Sequence, residues 1–526
     1  MVRRIGRRAT LAAAGVALMR PALAQPSPVL RFVPHANLAN LDPVWGGGYV
    51  VRNAAALVWD TLYGVDASST PRPQMVEAHE VSGDGLVWTF RLRSGLRFHD
   101  GEKVLARDAV ASIDRVSRRD QIGQIMRTRL DAIETIDDRS FRIRLNTPFP
   151  QMLFAMGKPS VPWFVMPERL ARTDPFQQIG EYVGSGPMRL VRDEWMPGSR
   201  AVFARFDGYA PREEAASWWA GGKRMHFDRI EWIGMPDPST AAAALQTGEV
   251  DWWETPLPDL LPVLRRNRAI GVDIADPLGN IGILRMNHLH PPFSDVRARR
   301  ALQMALSQED YMRAVAGDDP ALWRVLPSFF PPGTPVFSDA GGDVLTGPRD
   351  LAAARRLLAE AGYRGEPITV IVGAEIPANN AMGQVTADLL RRLGMTVDYV
   401  ATDWGTVGQR RANKAPPAQG GWHILHTWSA GSETLFPPAY GPLRTHGDGA
   451  WFGWPRSEEI ERLLAEWLDA ATPEAARRAT DAVNRASMEF VTQIPLGQFF
   501  NVQAWRSGIE GIVPGPLPFF WDVRKV

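Results

Sequence analysis

Alternating apolar and polar positions are clearest between residues 86 and 92, within the stretch GDGLVWTFRLRSGLRFHDGEKVLARDAVASIDRV. The apolar positions of this alternation are Leu86, Trp88, Phe90 and Leu92. A two-residue period predicts a strand with one buried face. Ser94-Gly95 then indicates a turn, so residues 96–98 are predicted as a short return strand that pairs with the first.

A helix is predicted after the second turn signal of this stretch, Asp100-Gly101. Its apolar positions fit the 3.6-residue period of a helix with one buried face, and they are Ala109, Val110, Ile113 and Val116. Asp108 lies near the start of this helix, where a carboxylate suits the positive end of the helix dipole.

Strands and helices alternate through the second half of the chain. The pattern predicts a strand at 368–372, a helix at 379–393 that Gly394 closes, and a second strand at 396–401. A connection of that length joins parallel strands. Residues 422–428 add a third strand, and the alternation as a whole predicts an α/β protein.

The length of 526 residues is too great for one hydrophobic core and predicts two to four domains. Hydrophobic residues make up 45% of the chain and charged residues 22%, which are values typical of globular proteins. A long disordered tail and a coiled coil are therefore not expected.

The first residues, MVRRIGRRATLAAAGVALMRPALAQ, have a basic start, a short apolar run and a small-residue ending. This pattern predicts a signal peptide over residues 1–24 that is cut before Gln25, with either twin-arginine or general secretion as the route. Without the five arginines of that segment the chain has 54 basic and 58 acidic residues, so its charge does not favour a nucleic-acid partner. Because the chain has no cysteine, it has no residue for a lipid anchor, and the mature protein is expected free in a periplasm.

Several motifs together resemble one protein family. They are a W-x-F-x-L-R strand at 88–93, GLxFHDG at 95–101 and RDAV at 107–110, with Leu-Asp-Pro at 41–43, GSGP at 184–187, GEVD at 248–251 and PPFSDVRARRAL at 291–302. This wording closely resembles the family 5 extracellular solute-binding proteins, the dipeptide and oligopeptide binders of ABC importers. The resemblance covers nearly the whole mature chain.

The resemblance implies a two-lobed periplasmic binding protein fold, type II and cluster C-like, with an extra inserted subdomain and a hinge of two crossings. The first crossing is expected near Met286 and Asn287. The implied boundaries are a signal peptide at 1–24, lobe I at 25–60, an inserted subdomain at 61–182, lobe I again at 183–286, lobe II at 287–494 and a return to lobe I at 495–526.

Tryptophan is unusually frequent, with 19 residues, and four of them follow strand ends or lie in Gly/Pro-rich loops of the second lobe: Trp404, Trp428, Trp451 and Trp454. Ligand clefts form outside such strand ends, where indole faces suit apolar side chains, sugar rings or cations. Core packing is the alternative for each tryptophan. The resemblance favours Trp428 as a cleft residue, with Ser429 beside it.

An acidic residue that the family uses is missing here. In the peptide readers of the family, an Asp three residues after the cleft Trp pairs with the ligand amine, whereas this chain has Gly431 there. Glu433 is the nearest acid and Asp403 the second candidate. A ligand amine buried in the site without a partner would cost several kcal/mol. If the ligand is a peptide, one of these acids is therefore expected to replace the Asp.

Two further groups are candidates for the cleft. Glycines let backbone amides approach a ligand closely, and the resemblance implies that Gly184, Ser185 and Gly186 form a loop at the cleft edge. Tyr49 is a candidate cleft aromatic, with packing as its alternative.

Catalytic and metal-binding patterns find little support. The chain has no Gly-x-Ser-x-Gly elbow, no zincin motif and no nucleotide loop. The pairs His288 with His290 and His423 with His426 are close in sequence, but the spacing of the second pair puts its members on opposite faces of a strand. No enzyme, cofactor or metal site is predicted, and a secreted hydrolase, a chaperone and a sensor subunit are the other classes left open.

The predicted function is the capture of peptides or peptide-like solutes by hinge closure, followed by delivery to the ABC permease subunits of the inner membrane. The protein is expected to be a monomer. The alternative solutes that the resemblance allows are an oligosaccharide, an opine, a nickel complex and haem.

Overall fold

The computed structural model describes residues 29–46 and 48–526. Within them lie two large sheets, each in its own lobe, and a smaller sheet in a subdomain. The predicted signal peptide falls outside the described residues. The α/β fold class with two lobes and an added subdomain is confirmed.

The sheet of lobe I has seven strands. In spatial order they are Ile270–Ile274, Val502–Arg506, Trp252–Trp253, Val29–Val33, Arg229–Ile233, Arg200–Arg205 and Met188–Leu190. The central strand is parallel to both of its neighbours and the other pairs are antiparallel. Aromatic rings form the core beside this sheet, where Phe32 lies 5.2 Å from Trp252 and 5.0 Å from Phe520 of the C-terminal segment.

The sheet of lobe II has six strands. In spatial order they are Trp323–Arg324, Ile494–Phe499, Asn280–Met286, Ile424–Ala430, Ile368–Gly373 and Val397–Thr402. Ile368–Gly373 is buried at every position and is parallel to both neighbours, so the strand-helix-strand prediction is confirmed. Two apolar faces on this strand are what a sheet covered by helices on both sides requires.

The subdomain sheet has the order Val76–Val81, Val87–Leu92, Ser140–Leu145 and Leu130–Thr135, and all its pairs are antiparallel. The strand predicted from alternation is present, with Trp88, Phe90 and Leu92 buried. The predicted hairpin is wrong, because residues 96–98 form no strand and contribute only a bridge between Arg97 and Lys103. The strand pairs instead with partners that precede it and follow the helix. Two small ribbons complete the sheets, Tyr63–Val65 with Pro71–Pro73 and Ile509–Glu510 with Arg524–Lys525.

The two crossings between the lobes lie at residues 275–279 and 500–501, since the strands on either side belong to different sheets. The expected first crossing near Met286 and Asn287 is therefore wrong, and the boundary at 494/495 is also misplaced. Both strands that flank these expected boundaries are apolar in sequence, yet they belong to the centre of the lobe II sheet. The crossings run side by side, with the Ala275 amide donating to the Asn501 carbonyl at 2.8 Å.

The α-helices are Tyr49–Val58, Ala106–Ser117, Gln121–Arg127, Met152–Gly157, Glu168–Ala171, Pro238–Thr247, Leu261–Arg266, Val296–Ala305, Gln308–Ala316, Asp343–Thr346, Leu351–Glu360, Pro377–Arg392, Trp404–Arg410, Glu458–Leu468 and Pro473–Phe490. Short 3₁₀ turns follow one another between residues 431 and 449. Thr472 caps the helix that begins at Pro473, and Asp295 caps the helix that begins at Val296. None of the helices in the described part of the chain has the length and apolar character to cross a membrane.

Candidate functional site

A cavity of about 560 Å³ lies between lobe II and the subdomain, a volume suited to a small organic solute. One wall comes from the end of strand Ile424–Ala430 and the 3₁₀ turns that follow it. The facing wall comes from residues 116–122, which join two subdomain helices, and from residues 154–161. Pro43 and Val44 of the Leu-Asp-Pro loop close one side.

Trp428 and Ser429 lie in the cavity wall where a central strand of lobe II ends. The Trp428 ring is half-buried and meets the edge of the Phe499 ring at 6.3 Å, which fixes its orientation. Ser429 is buried, and Tyr440, whose hydroxyl accepts from Gln493 Nε2 at 3.3 Å, lines the same cavity. Trp451 also lines the cavity, and its ring is held by the Arg285 guanidinium at 5.1 Å.

Glu433 projects into the same cavity. Its side chain is exposed, but to the cavity rather than to the outer surface, so protein atoms surround it on most sides. Burial raises the pKa of Glu433, and the Tyr49 hydroxyl and the Arg52 charge offset only part of that rise. In the described part of the chain no cation lies within ion-pair distance of this carboxylate, so a cationic ligand group would stabilise it.

Tyr49 of lobe I lies beside Glu433. Burial and the neighbouring Glu433 charge raise the pKa of the Tyr49 hydroxyl well above its ordinary value, so the hydroxyl stays protonated and can donate to the carboxylate. The Arg52 guanidinium lies 4.7 Å from the Tyr49 ring. Arg52 is itself anchored by carbonyl groups, Ser160 O at 3.1 Å and Pro516 O at 2.6 Å, so this corner of the site is rigid.

The subdomain wall contains an ion pair that the sequence analysis missed. Asp120 pairs with Lys158, accepts a hydrogen bond from Trp163 Nε1 at 3.2 Å and caps the helix Gln121–Arg127 through the Gly123 amide at 2.8 Å. All these partners satisfy the Asp120 carboxylate within the wall. No motif signals this pair, because its members are 38 residues apart.

Arg411 is a second residue that the sequence analysis missed. It lines the cavity with its guanidinium between the rings of Trp404, at 5.2 Å, and Phe452, at 4.4 Å. Trp404 itself does not line the cavity, and its ring packs against the Arg411 guanidinium. Asp403 accepts from the Thr406 amide at 2.8 Å as a helix cap, which removes it as the replacement acid.

The loop at 184–186 lies away from the cavity wall. The Gly186 amide donates to Val58 O at 2.9 Å, and Ser185 Oγ accepts from the Asp60 amide at 3.1 Å. A Cβ atom on Gly184 would lie 1.8 Å from Val58 O. These glycines let two segments of lobe I pack closely, and Gly184, Ser185 and Gly186 do not line this cavity.

The remaining tryptophans and the histidine pairs serve packing. Trp454 is buried against Trp422 at 6.2 Å. His423 Nδ1 accepts from the Thr369 amide at 2.9 Å, and His426 Nε2 contacts Thr386 Oγ1 at 2.8 Å in the core. Over residues 29–46 and 48–526 no group of three or more potential metal ligands comes together.

Two α/β lobes joined by two crossings, with a cavity bounded by lobe II, the subdomain and a loop of lobe I, are the architecture of hinge-closing solute-binding proteins. The chain belongs to the bacterial extracellular solute-binding proteins, family 5, whose family model matches residues 70–440. It is 34% identical over 494 residues to a probable peptide ABC transporter periplasmic-binding protein of Sinorhizobium fredii, covering 93% of this chain and 92% of the relative. It is 28% identical over 407 residues to the glutathione-binding protein GsiB of Escherichia coli, covering 75% and 73%.

Solved structures share this fold. A dipeptide-binding protein of Pseudoalteromonas in complex with Met-Leu matches with a TM-score of 0.75 at 20% identity, over 95% of this chain and 100% of the other. The protein AgaA of A. tumefaciens in complex with agropinic acid matches with a TM-score of 0.77 at 20% identity, over 95% and 99%. These matches support the two-lobed architecture.

Proposed function

We propose that the protein is the periplasmic substrate-binding component of an ABC importer that captures peptides or peptide-like solutes and delivers them to an inner-membrane permease. The observation that carries this proposal is Glu433, a carboxylate that faces a cavity of small-solute size and has no ion-pair partner in the described part of the chain. Such a group suits the ammonium of a peptide. The names of two relatives that match most of the chain, a peptide-binding protein and a glutathione-binding protein, support the same class of solute.

The cavity wall is built from different parts of the protein, and this is why binding of a solute favours closure of the lobes. Glu433 and Trp428 come from lobe II, whereas Pro43 and Val44 come from lobe I and residues 116–122 from the subdomain. A solute contacts all of them only when the lobes are closed, so it stabilises closure by its difference in affinity for the two states. The permease would then recognise the closed form.

Location and assembly belong to the same proposal. Export by the signal segment at residues 1–24, by either the twin-arginine or the general route, would place the mature protein in the periplasm. A monomer suffices, because one chain supplies both walls of the cavity.

Thermal unfolding of the mature protein with and without a millimolar pool of di- to pentapeptides tests the proposal. A ligand at about a hundred times its dissociation constant stabilises the native state by roughly 2.7 kcal/mol, so the Tm should rise visibly. Glu433→Gln should reduce that rise, whereas the matched change Asp403→Asn, at an acid outside the cavity, should keep it. An unchanged Tm of ligand-free wild-type protein in the peptide pool would refute peptide binding.

A non-peptide solute is the second candidate, because the rings of Trp428 and Trp451 both reach the cavity. Flat indole faces bind sugar rings and apolar groups by stacking. If oligosaccharides or opines raise the Tm and peptides do not, this candidate replaces the first.

A further inference from the structure

The charged side chains of the cavity wall do not balance. They are Arg119, Asp120, Lys158, Arg411 and Glu433. Asp120 and Lys158 neutralise each other directly. Two arginines then face one carboxylate, which leaves one positive charge in excess.

Arg411 is the more informative of the two arginines because it is half-buried. In the described part of the chain its side chain makes no ion pair and donates no hydrogen bond, and its Nε is buried without a partner. Burial lowers the pKa of Arg411, as expected for a cation that lacks compensation. A guanidinium in this state is costly until a partner reaches it.

Two arginines near Arg411 have carbonyl partners that Arg411 lacks. The buried Arg285 donates to Pro442 O at 2.9 Å and to Thr492 O at 2.7 Å. Arg410, next in sequence to Arg411, donates to Gly420 O at 3.1 Å and Gly421 O at 3.0 Å. These two guanidinium groups are satisfied within the fold, while Arg411 keeps its N–H groups unpaired beside the cavity.

The geometry around Arg411 selects the kind of partner. Trp404 and Phe452 lie against the guanidinium at 5.2 and 4.4 Å, so aromatic rings occupy the space beside its faces. The N–H bonds of a guanidinium lie in its plane, where a carboxylate binds with two parallel hydrogen bonds. Aromatic packing also restricts the side chain, which lowers the entropy lost when the carboxylate binds.

Arg119 supplies the excess charge on the facing wall. It lies between the helices Ala106–Ser117 and Gln121–Arg127, it is exposed, and the face of the Phe176 ring at 4.8 Å is its neighbour. Among residues 29–46 and 48–526 no carboxylate pairs with it. A second anionic group of the solute would therefore find a cation on the wall opposite Arg411.

We propose that the solute is a small acidic peptide with one more carboxylate than ammonium group. Its ammonium binds Glu433, one carboxylate binds Arg411, and the second carboxylate faces Arg119. This inference rests on the proposed function and specifies the class of peptide. A tripeptide with one acidic side chain has these groups.

Calorimetric titration with three matched tripeptides, Ala-Glu-Ala, Ala-Gln-Ala and Ala-Lys-Ala, tests the charge preference. Ala-Glu-Ala should bind about tenfold or more tightly than Ala-Gln-Ala, the change expected for one charge-assisted hydrogen-bonded pair. Ala-Lys-Ala should bind more weakly than both. Equal binding of all three would overturn this inference and leave peptide binding intact, whereas binding of none, and of no other peptide, would refute the proposed function itself.

Arg411→Gln tests whether Arg411 binds the C-terminal carboxylate of the peptide. Wild-type protein should bind Ala-Glu-Ala about tenfold or more tightly than its C-terminal amide, and Arg411→Gln should bind the two equally. Arg410→Gln is the matched control and should keep the discrimination. Arg411→Gln removes an unpaired cation, so its ligand-free Tm should be no lower than that of wild type. Discrimination that survives Arg411→Gln would overturn the assignment, and Arg411→Lys, which keeps the charge without the planar fork, provides a second variant with an intermediate expected ratio.

Discussion

At position 433 two electrostatic effects oppose each other. Burial destabilises the carboxylate and raises its pKa, while the Tyr49 hydroxyl, the Arg52 charge and the more distant Lys158 charge lower it, and burial is the larger effect. An ammonium group of a ligand would add the stabilisation that these neighbours do not supply. The protonation state of Glu433 is therefore linked to ligand binding.

Affinity for a peptide with a free amine should fall as the pH is lowered through the raised pKa of Glu433. This loss of affinity should begin above the ordinary glutamate pKa of 4.5. The ammonium binds the ionised carboxylate, so below this pKa a proton must first leave the site. The loss should approach tenfold per pH unit, since one pH unit corresponds to about 1.4 kcal/mol. Calorimetric titration between pH 4.5 and 8 measures the slope.

Two controls isolate the carboxylate as the cause of that slope. Glu433→Gln should bind more weakly at pH 7 and show no comparable slope, and an N-acetylated peptide should show none with wild-type protein. The same slope in Glu433→Gln would assign the effect to another group.

Residue-level prediction from sequence succeeds where the signal is local. Glu433 is predicted because it is the nearest acid after Trp428, and the structure places both in the cavity wall. Arg411 is missed because its environment depends on Phe452, far away in the chain. The glycines at 184–186 mislead, since close approach of a ligand and close approach of another backbone need the same residue.

At the scale of elements, a buried ion pair fixes the Leu-Asp-Pro loop that closes one side of the cavity. Asp42 accepts from Arg115 at 2.8 and 3.1 Å, and both side chains are at most 1% exposed. The Ile179 amide also donates to Asp42 at 3.0 Å. The loop is thereby tied to the subdomain helix Ala106–Ser117.

Asp42→Asn should lower the free energy of unfolding by about 3–5 kcal/mol, because Arg115 would remain buried without a counter-charge. Urea denaturation measures the change. The control Asp207→Asn removes a carboxylate that is 86% exposed and pairs with Arg205, so its effect should be at most about 1 kcal/mol. Similar losses for both variants would show that burial does not decide the contribution of the pair.

The first crossing is coupled to the loop that carries Glu433. Gly279 lies in this crossing, and its carbonyl accepts from the Gly431 amide at 2.7 Å. Its φ of +56° is in the left-handed region, and a Cβ atom there would lie 2.8 Å from Phe499 O. Both the backbone conformation and the space require glycine.

Gly279→Ala should lower stability by roughly 1–3 kcal/mol from backbone strain, with a further loss from the collision, and should also weaken peptide binding because Gly431 would shift. Gly394→Ala is the matched control, since Gly394 has a φ of +81° but no atom within 4 Å of the added Cβ. That variant should lose stability alone. Thermal unfolding and peptide titration of both variants measure the two effects, and unchanged affinity in Gly279→Ala would rule out the coupling.

Elements are predicted best where their period is long and their partners are near in sequence. The parallel strands at 368–373 and 397–402 are found from sequence because a helix directly links them. Residues 96–98 look like a return strand, but Val87–Leu92 is already paired on both edges, by Val76–Val81 and Ser140–Leu145. Strand pairing of this kind is a tertiary property that local turn signals do not contain.

At the scale of the whole molecule, the lobes touch at several points around the cleft. Arg129 of the subdomain pairs with Asp469 of lobe II at 2.7 Å, and the rings of Phe154 and Phe436 stack at 6.1 Å. The crossings could not be located from the sequence for the same reason. Strand Asn280–Met286 could belong to the sheet of either lobe, and only its paired strands show that it belongs to lobe II. The cavity exists only in this arrangement of the lobes.

Ligand should therefore shift the molecule toward the arrangement described here, and the absence of native cysteine makes the shift measurable with introduced labels. Asp131 and Glu466 lie near the Arg129–Asp469 pair on the two sides of the cleft and are 56% and 54% exposed, so spin labels at cysteines there should perturb stability little. Pulsed electron resonance should show a broad, longer distance distribution without ligand and a single shorter distance with saturating peptide, because the ligand contacts both walls only when they are closed.

A control pair within lobe II, Asp318 and Glu466, should give the same distance in both conditions. An unchanged distribution between labels 131 and 466, under conditions where calorimetry shows binding, would mean that the cavity fills without hinge motion, and recognition by the permease would then have to rest on the bound solute rather than on closure.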